Sequence, residues 1–192
     1  MPTGYAVVKM EADRVETSYL TISNTIVASV NINGTTKYFS TVQEAIDEVG
    51  TNEGMTITLL KDEITEGITI AENQNITLNT NGKTLTAEGT TITNHGTLLI
   101  NGNGKIVSTG SIAVNNDAAK TLTIDGPTIE GQVSRGINNT SNGTINILSG
   151  HIKGDAFGIF DNDTGTINIQ GGTIESANGT AIRSYETEIT IS

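Results

Sequence analysis

Thr144-Ile145-Asn146-Ile147 returns unchanged as Thr166-Ile167-Asn168-Ile169, and looser copies extend in both directions. Upstream stand Thr121-Leu122-Thr123-Ile124, Thr97-Leu98-Leu99-Ile100 and Asn75-Ile76-Thr77-Leu78; downstream stands Glu188-Ile189-Thr190-Ile191. The first apolar residue of each copy falls at 76, 98, 122, 145, 167 and 189, giving steps of 22, 24, 23, 22 and 22 residues. A period this constant marks a solenoid, whose unit is stacked because alone it cannot bury its apolar face.

Each copy holds three strand signals. In the unit that starts at Gly143, Ile145 and Ile147 point inward and alternate with Thr144 and Asn146. Leu148-Ser149-Gly150 reads as a turn, His151-Ile152-Lys153 as a second strand, and Phe157 to Phe160 as a third with Ile159 inward. Three strands within one such period leave no room for a helical crossover. The chain must coil, so that each strand pairs in parallel with its copy one turn later, roughly 4.8 Å along the axis. The spacing therefore predicts an all-β fold, a parallel β-helix with three sheets, right-handed as parallel crossovers are.

Three inward columns follow from this alignment. They are Ile76, Leu98, Leu122, Ile145, Ile167 and Ile189; Ile106, Ile129, Ile152 and Ile174; and Ile92, Val114, Ile137, Ile159 and Ile182. Two residues after the third column a polar side chain recurs as Asn94, Asn116, Asn139, Asp161 and Ser184. Stacked amides at a corner of the coil are expected to bond along the stack and to turn backbone. The recurrent Asn-x-Ser/Thr triplets, such as Asn162-Asp163-Thr164, follow from the same turn chemistry.

One segment reads as helix. Over Thr41 to Val49 the apolar positions 42, 45, 46 and 49 share a face, Ser40/Gln43 or Thr41/Glu44 supplies a capping box, and Gly50 suits the position after the helix. Placed just before the first coil, Met55 to Leu60, it is expected to plug the open end of the solenoid. Before it, Ile26, Ala28, Val30 and Ile32 alternate as a strand, and Asn33-Gly34 offers a type I′ hairpin into Thr35 to Phe39. Residues 1–25 hold strand-like pieces, Tyr5 to Met10 and Tyr19 to Ile22, without the repeat. The division expected is an N-terminal arm over 1–36, either cap or remnant of a preceding module, a capping-helix segment over 37–54, and the β-helix over 55–192.

Composition narrows the function. The apolar share is 35% and aromatics are 4%, as suits a thin core of small β-branched residues. The formal charge of −11 argues against nucleic acid or an anionic membrane as partner. Its plain reading is solubility; no cofactor or metal site is assigned, and calcium is left open. With no cysteine there is neither disulfide nor thiolate metal site. No apolar run approaches the ~20 residues of a membrane helix, and Met1-Pro2-Thr3-Gly4 lacks the basic and apolar regions of a signal peptide.

Tyr38-Phe39-Ser40-Thr41-Val42-Gln43-Glu44-Ala45-Ile46, then Met55 to Asp62, then Gly-Thr-(Ile/Leu)-x-Ile and Gly-Gly-Thr-Ile repeats, resemble the adhesin-like, pectin-lyase-fold β-helix regions of large prokaryotic surface proteins. The likeness covers residues 37–192. It implies an extracellular, cell-surface or wall-associated piece of a longer repetitive protein, with coils continuing past residue 192. End-to-end self-association through the last coil is a further expectation. The fold carries lyases, hydrolases and passive stalks alike, so function must be argued from residues.

For chemistry, a carbohydrate-active enzyme of pectate-lyase or polygalacturonase type is the main alternative, and it needs converging acids. Asp155, Asp161 and Asp163 with His151 and Lys153 come nearest, but at different corners of one coil. Arg135 and Arg183 are the arginines a lyase would draw on. Asn94-His95-Gly96 and His151-Ile152-Lys153 only partly echo the hydrolase motifs. A binding face is favoured instead: Phe160, Arg183 and Tyr185 outward on the third strand stack, with Asp163 close in register, are candidate contacts for a sugar or a host-surface ligand. Against this, Phe157 or Phe160 filling a wide coil and Tyr185 covering a ragged end would serve structure alone. A minor alternative is ice binding by outward Thr56/Thr58, Thr77/Asn79, Thr121/Thr123, Thr144/Asn146 and Thr166/Asn168, an array broken by Leu99 and Glu188. The expectation is a non-catalytic structural or adhesive spacer.

Overall fold

The computed structural model describes residues 26–117 and 120–192; the strand-like pieces read between Tyr5 and Ile22 lie outside them. The chain forms a parallel β-helix of about six turns with about 22 residues per turn. The first face comprises Met55–Leu59, Asn75–Asn79, Thr97–Asn101, the opening halves of Thr121–Gly131 and Thr144–Gly154, Thr166–Ile169 and Glu188–Ile191. The second comprises Glu63–Thr65, Thr84–Ala87, Lys105–Ser108, the closing halves of the same two long strands, and Thr173–Ser176. The third comprises Ile68–Ile70, Ile92–Asn94, Val114–Asn116, Arg135–Asn139, Phe157–Asp161 and Thr180–Ser184.

The three expected columns align in register. Ile76 lies opposite Leu98, Leu98 opposite Leu122, Leu122 opposite Ile145, Ile145 opposite Ile167 and Ile167 opposite Ile189. Ile106, Ile129, Ile152 and Ile174 pair likewise, as do Ile92, Val114, Ile137, Ile159 and Ile182. From Ile76 to Ile167 these side chains are essentially free of solvent. Towards the last coil the columns open: Ile174 and Ile182 are partly buried and Ile189 is 41% exposed.

Two expectations about the coil need correction. The first and second faces are one hydrogen-bonded sheet rather than two, because Thr121–Gly131 and Thr144–Gly154 run unbroken across the corner. Leu148-Ser149-Gly150 is therefore not a turn but an irregular stretch of strand, matched below by Asp125-Gly126-Pro127 with its register shifts. The outward threonines also stack differently from the ice-binding array. Because Ile76, Leu98 and Leu122 must share a column, the rank beside them reads Thr56, Thr77, Leu99, Thr123, Asn146, Asn168, Thr190. Thr121, Thr144 and Thr166 belong to a separate rank that ends at Glu188.

The N-terminal end is closed by a hairpin and a helix acting together. Ala28–Ile32 pairs antiparallel with Thr35–Phe39 through Asn33 and Gly34, both at positive φ (52° and 81°), as a type I′ turn requires. Ala28–Val30 also pairs antiparallel with Ile57–Leu59 of the first coil, which satisfies that coil's edge. The division placed at 36/37 thus cuts through a strand, and the hairpin belongs with the cap. The helix, Val42–Val49, buries Val42, Ala45, Ile46 and Val49; Thr41 Oγ1 accepts from Glu44 N–H, and Glu44 in turn accepts from Ser40 N–H and Oγ. Gln43 exchanges two hydrogen bonds with the backbone of Thr69, joining the helix to the start of the third face.

One column begins with an acid. Glu63 lies opposite Leu85, where every later coil carries an aliphatic residue, and it accepts a hydrogen bond from Val42 N–H at the helix N-terminus. Burial raises its pKa, outweighing the opposite effect of that N–H, and the neighbouring Glu44 adds to the rise. A carboxyl of this kind holds its proton more tightly folded than unfolded. Its contribution to stability is therefore largest in acid and declines as pH rises from the ordinary carboxylate range through the raised folded value.

Chemical denaturation should find Ile145→Ala weaker by about 2–5 kcal/mol and Ile145→Asp unable to hold the adjoining coils. Glu63→Gln keeps an acceptor for Val42 and should stabilise the protein at neutral pH while flattening the decline between acid and neutral. An unchanged pH profile in this variant would show that Glu63 is ionised without cost.

Candidate ligand-binding face

The third face carries its polar groups in two layers. The inner layer is the ladder Asn94, Asn116, Asn139 and Asp161, all fully buried. Asn94 Nδ2 donates to Asn116 Oδ1 at 2.8 Å, Asn116 Nδ2 to Asn139 Oδ1 at 2.8 Å, and Asn139 Nδ2 to Asp161 Oδ2 at 3.2 Å. Turn backbone bonds to three of the four as well: Gly96 N–H donates to Asn94 Oδ1, Asn139 Nδ2 donates to the Ser141 carbonyl, and Asp163 N–H donates to Asp161 Oδ1. An amide both donates and accepts, so it repeats indefinitely, whereas the carboxylate of Asp161 only accepts. Ser184, opposite Asp161, instead accepts from Thr187 N–H in its own turn.

The outer layer is built on the same strands, one residue earlier. Thr93, Asn115, Asn138, Phe160 and Arg183 form a continuous outward rank, flanked by Arg135 opposite Phe157 opposite Thr180. Gly131 and Gly154 make this flank reachable. A Cβ on either would lie 1.9 Å from the Arg135 carbonyl oxygen or 1.7 Å from that of Phe157, so only glycine permits the tight corner between the second and third faces.

The rings and guanidinium groups then collect. Phe157 and Phe160 are tilted with centroids 5.1 Å apart, and Tyr185 meets Phe160 edge-on at 6.0 Å. Arg135 stacks over Phe160 at 4.0 Å and donates to Asn138 Oδ1 at 2.7 Å. Asn138 donates to Asn115 at 2.6 Å. Arg183 lies 5.1 Å from the Tyr185 centroid and donates to the Tyr185 hydroxyl at 2.6 Å. Phe157 and Phe160 are half-buried on the outside of the coil rather than inside it, while Arg183 is exposed and Tyr185 is 57% exposed.

Of the four candidate contacts, the structure brings Phe160, Arg183 and Tyr185 together. Phe160 is the enclosed centre, and Arg183 and Tyr185 are the accessible members. Asp163 is turned into its own loop, where its carboxylate accepts from Thr164 N–H at 2.7 Å and its carbonyl from Thr187 Oγ1 at 2.8 Å. Arg135, Asn138 and Phe157 belong to the cluster too. Their signal was present in the register: Arg135 and Phe157 both stand two residues before the third column.

The acids of that coil do not share a partner. Asp155 accepts from Asn178 at 2.5 Å, Asp161 ends the inner ladder, and Asp163 holds its turn. His151 lies 3.1 Å from Glu175 and Lys153 3.8 Å from Glu130, on the second face. His95 Nδ1 lies 3.1 Å from the Asp117 carbonyl oxygen, in a separate turn. Among the described residues no group of three or more His, Cys, Asp or Glu side chains could hold a metal ion, and no helix is long and apolar enough to cross a membrane. Compared with protein-family models, curated proteins and solved structures, the chain gives no match.

Asn116→Ala would leave Asn94 Nδ2 and Asn139 Oδ1 without their partners. Each buried orphan should cost roughly 1–3 kcal/mol, and thermal unfolding should show this loss well above that of an exposed control such as Asn178→Ala.

Proposed function

We propose that this chain is a rigid, non-catalytic segment of an extracellular, adhesin-like surface protein that presents its third face to a sugar. The observation that carries this reading is the gathering of three rings and two guanidinium groups on one outer face, over a hydrogen-bonded ladder. Aromatic faces beside directional donors are how proteins hold saccharides, and a stacked sheet fixes such groups better than a loop does. The sequence likeness to adhesin-like β-helix regions supports the extracellular setting. The separate engagement of Asp155, Asp161 and Asp163 favours binding over acid–base catalysis, which requires carboxylates flanking one bond.

The test is a glycan array probed with this chain, with Tyr185→Ala and Phe160→Ala beside it. Tyr185→Ala should abolish the signal while circular dichroism stays unchanged. Phe160→Ala should weaken binding and lower the melting temperature, since its ring supports Arg135 and Tyr185. Absence of any bound glycan would reduce the role to that of a spacer.

A further inference from the structure

The third face differs in charge from the rest of the molecule. The chain carries 21 acidic and 10 basic residues. Yet the six strands of this face contain one acid, Asp161, and it points inward and is buried. Both arginines among the described residues, Arg135 and Arg183, stand on its outer surface. Among the described residues neither has a carboxylate partner: Arg135 bonds to an amide oxygen and Arg183 to a phenol. Of the lysines, Lys37 and Lys153 have carboxylate partners, Glu48 and Glu130. Asp155 and Asp163 in the flanking turns are held by Asn178 and Thr164.

We infer that the face takes an acidic saccharide, one bearing carboxylate or sulfate groups, with Arg183 and Tyr185 receiving the anion. The inference rests on the sugar-binding reading above and specifies its ligand. A guanidinium offers five N–H donors in a planar fork, and Arg183 uses one on Tyr185. Because the Tyr185 oxygen accepts that bond, its own hydrogen remains available to donate to a ligand. An oxyanion placed there gains charge-assisted hydrogen bonds from both, and the apolar face of its sugar ring can lie against the exposed part of Tyr185. Arg135, stacked on Phe160, adds positive potential from the coil below. The chain as a whole, at a net charge of −11, repels an anionic polymer, which favours its approach at the face that carries the two arginines.

The array should therefore include matched neutral, carboxylated and sulfated glycans, with hexaglutamate as an acidic peptide. Carboxylated or sulfated members are expected to bind at least roughly tenfold more tightly than their neutral counterparts. Arg183→Gln should remove that preference, Arg183→Lys should restore it only in part because the fork is lost, and added sodium chloride should weaken binding. The carboxylated and sulfated arms identify which anion is read. Equal binding of neutral and acidic glycans, unaffected by Arg183→Gln, would overturn the anion assignment and leave the sugar-binding reading intact. Arg183-dependent binding of hexaglutamate with no glycan bound would overturn both in favour of an acidic peptide. Binding of nothing on the array would overturn both outright.

Discussion

The structure depends on one constraint: side chains one turn apart occupy the same place on the coil, about 4.8 Å apart along the axis. Each inward position must suit its neighbours above and below as well as its own coil. Where it is aliphatic it repeats, as from Leu98 through Ile167 on the first face. Where it is polar it must be able to bond to itself, which selects asparagine over most alternatives. The core is one residue wide in each column, so a single unsuitable side chain is felt by two coils at once.

The same constraint explains what the sequence makes legible. Columns with an interval of 21–24 residues can be read without coordinates, because hydrophobic periodicity and register carry the same information. The helix was legible from its apolar face and from Thr41 and Gly50, and the hairpin from Asn33-Gly34. What escaped reading depends on geometry between columns. The continuity of the first two faces across Asp125-Gly126-Pro127 and Leu148-Ser149-Gly150 turns on whether a glycine-containing stretch bends or bulges, which residue types alone do not decide. That the antiparallel strand Ala28–Ile32 closes the sheet edge is a long-range pairing without a periodic signature.

The candidate site was legible in part for a similar reason. Phe160 and Arg183 are successive members of one outward rank, so alignment brings them together. Arg135 and Phe157 reach the same place from a neighbouring rank, by way of the corner that Gly131 and Gly154 allow. Asp163 failed to join because its carboxylate has a nearer partner in Thr164, a local side-chain-to-backbone bond that competes with any distant ligand. The inner ladder and the outer cluster use adjacent residues of the same strands, Asn139 beside Asn138 and Asp161 beside Phe160. Rigidity inside and recognition outside are therefore properties of the same short segments.

The inner ladder also has a sense of travel. Each amide from Asn94 to Asn139 donates toward the C-terminal end, and the relay stops at a group with no hydrogen left to pass on. A copied coil bearing asparagine at this position could be spliced in anywhere ahead of Asp161 and would simply lengthen the relay. Inserted after it, the same coil would have to start a new one. Genetic duplication in such a protein is thus filtered by proton direction as well as by apolar fit, and one carboxylate marks where easy lengthening ends.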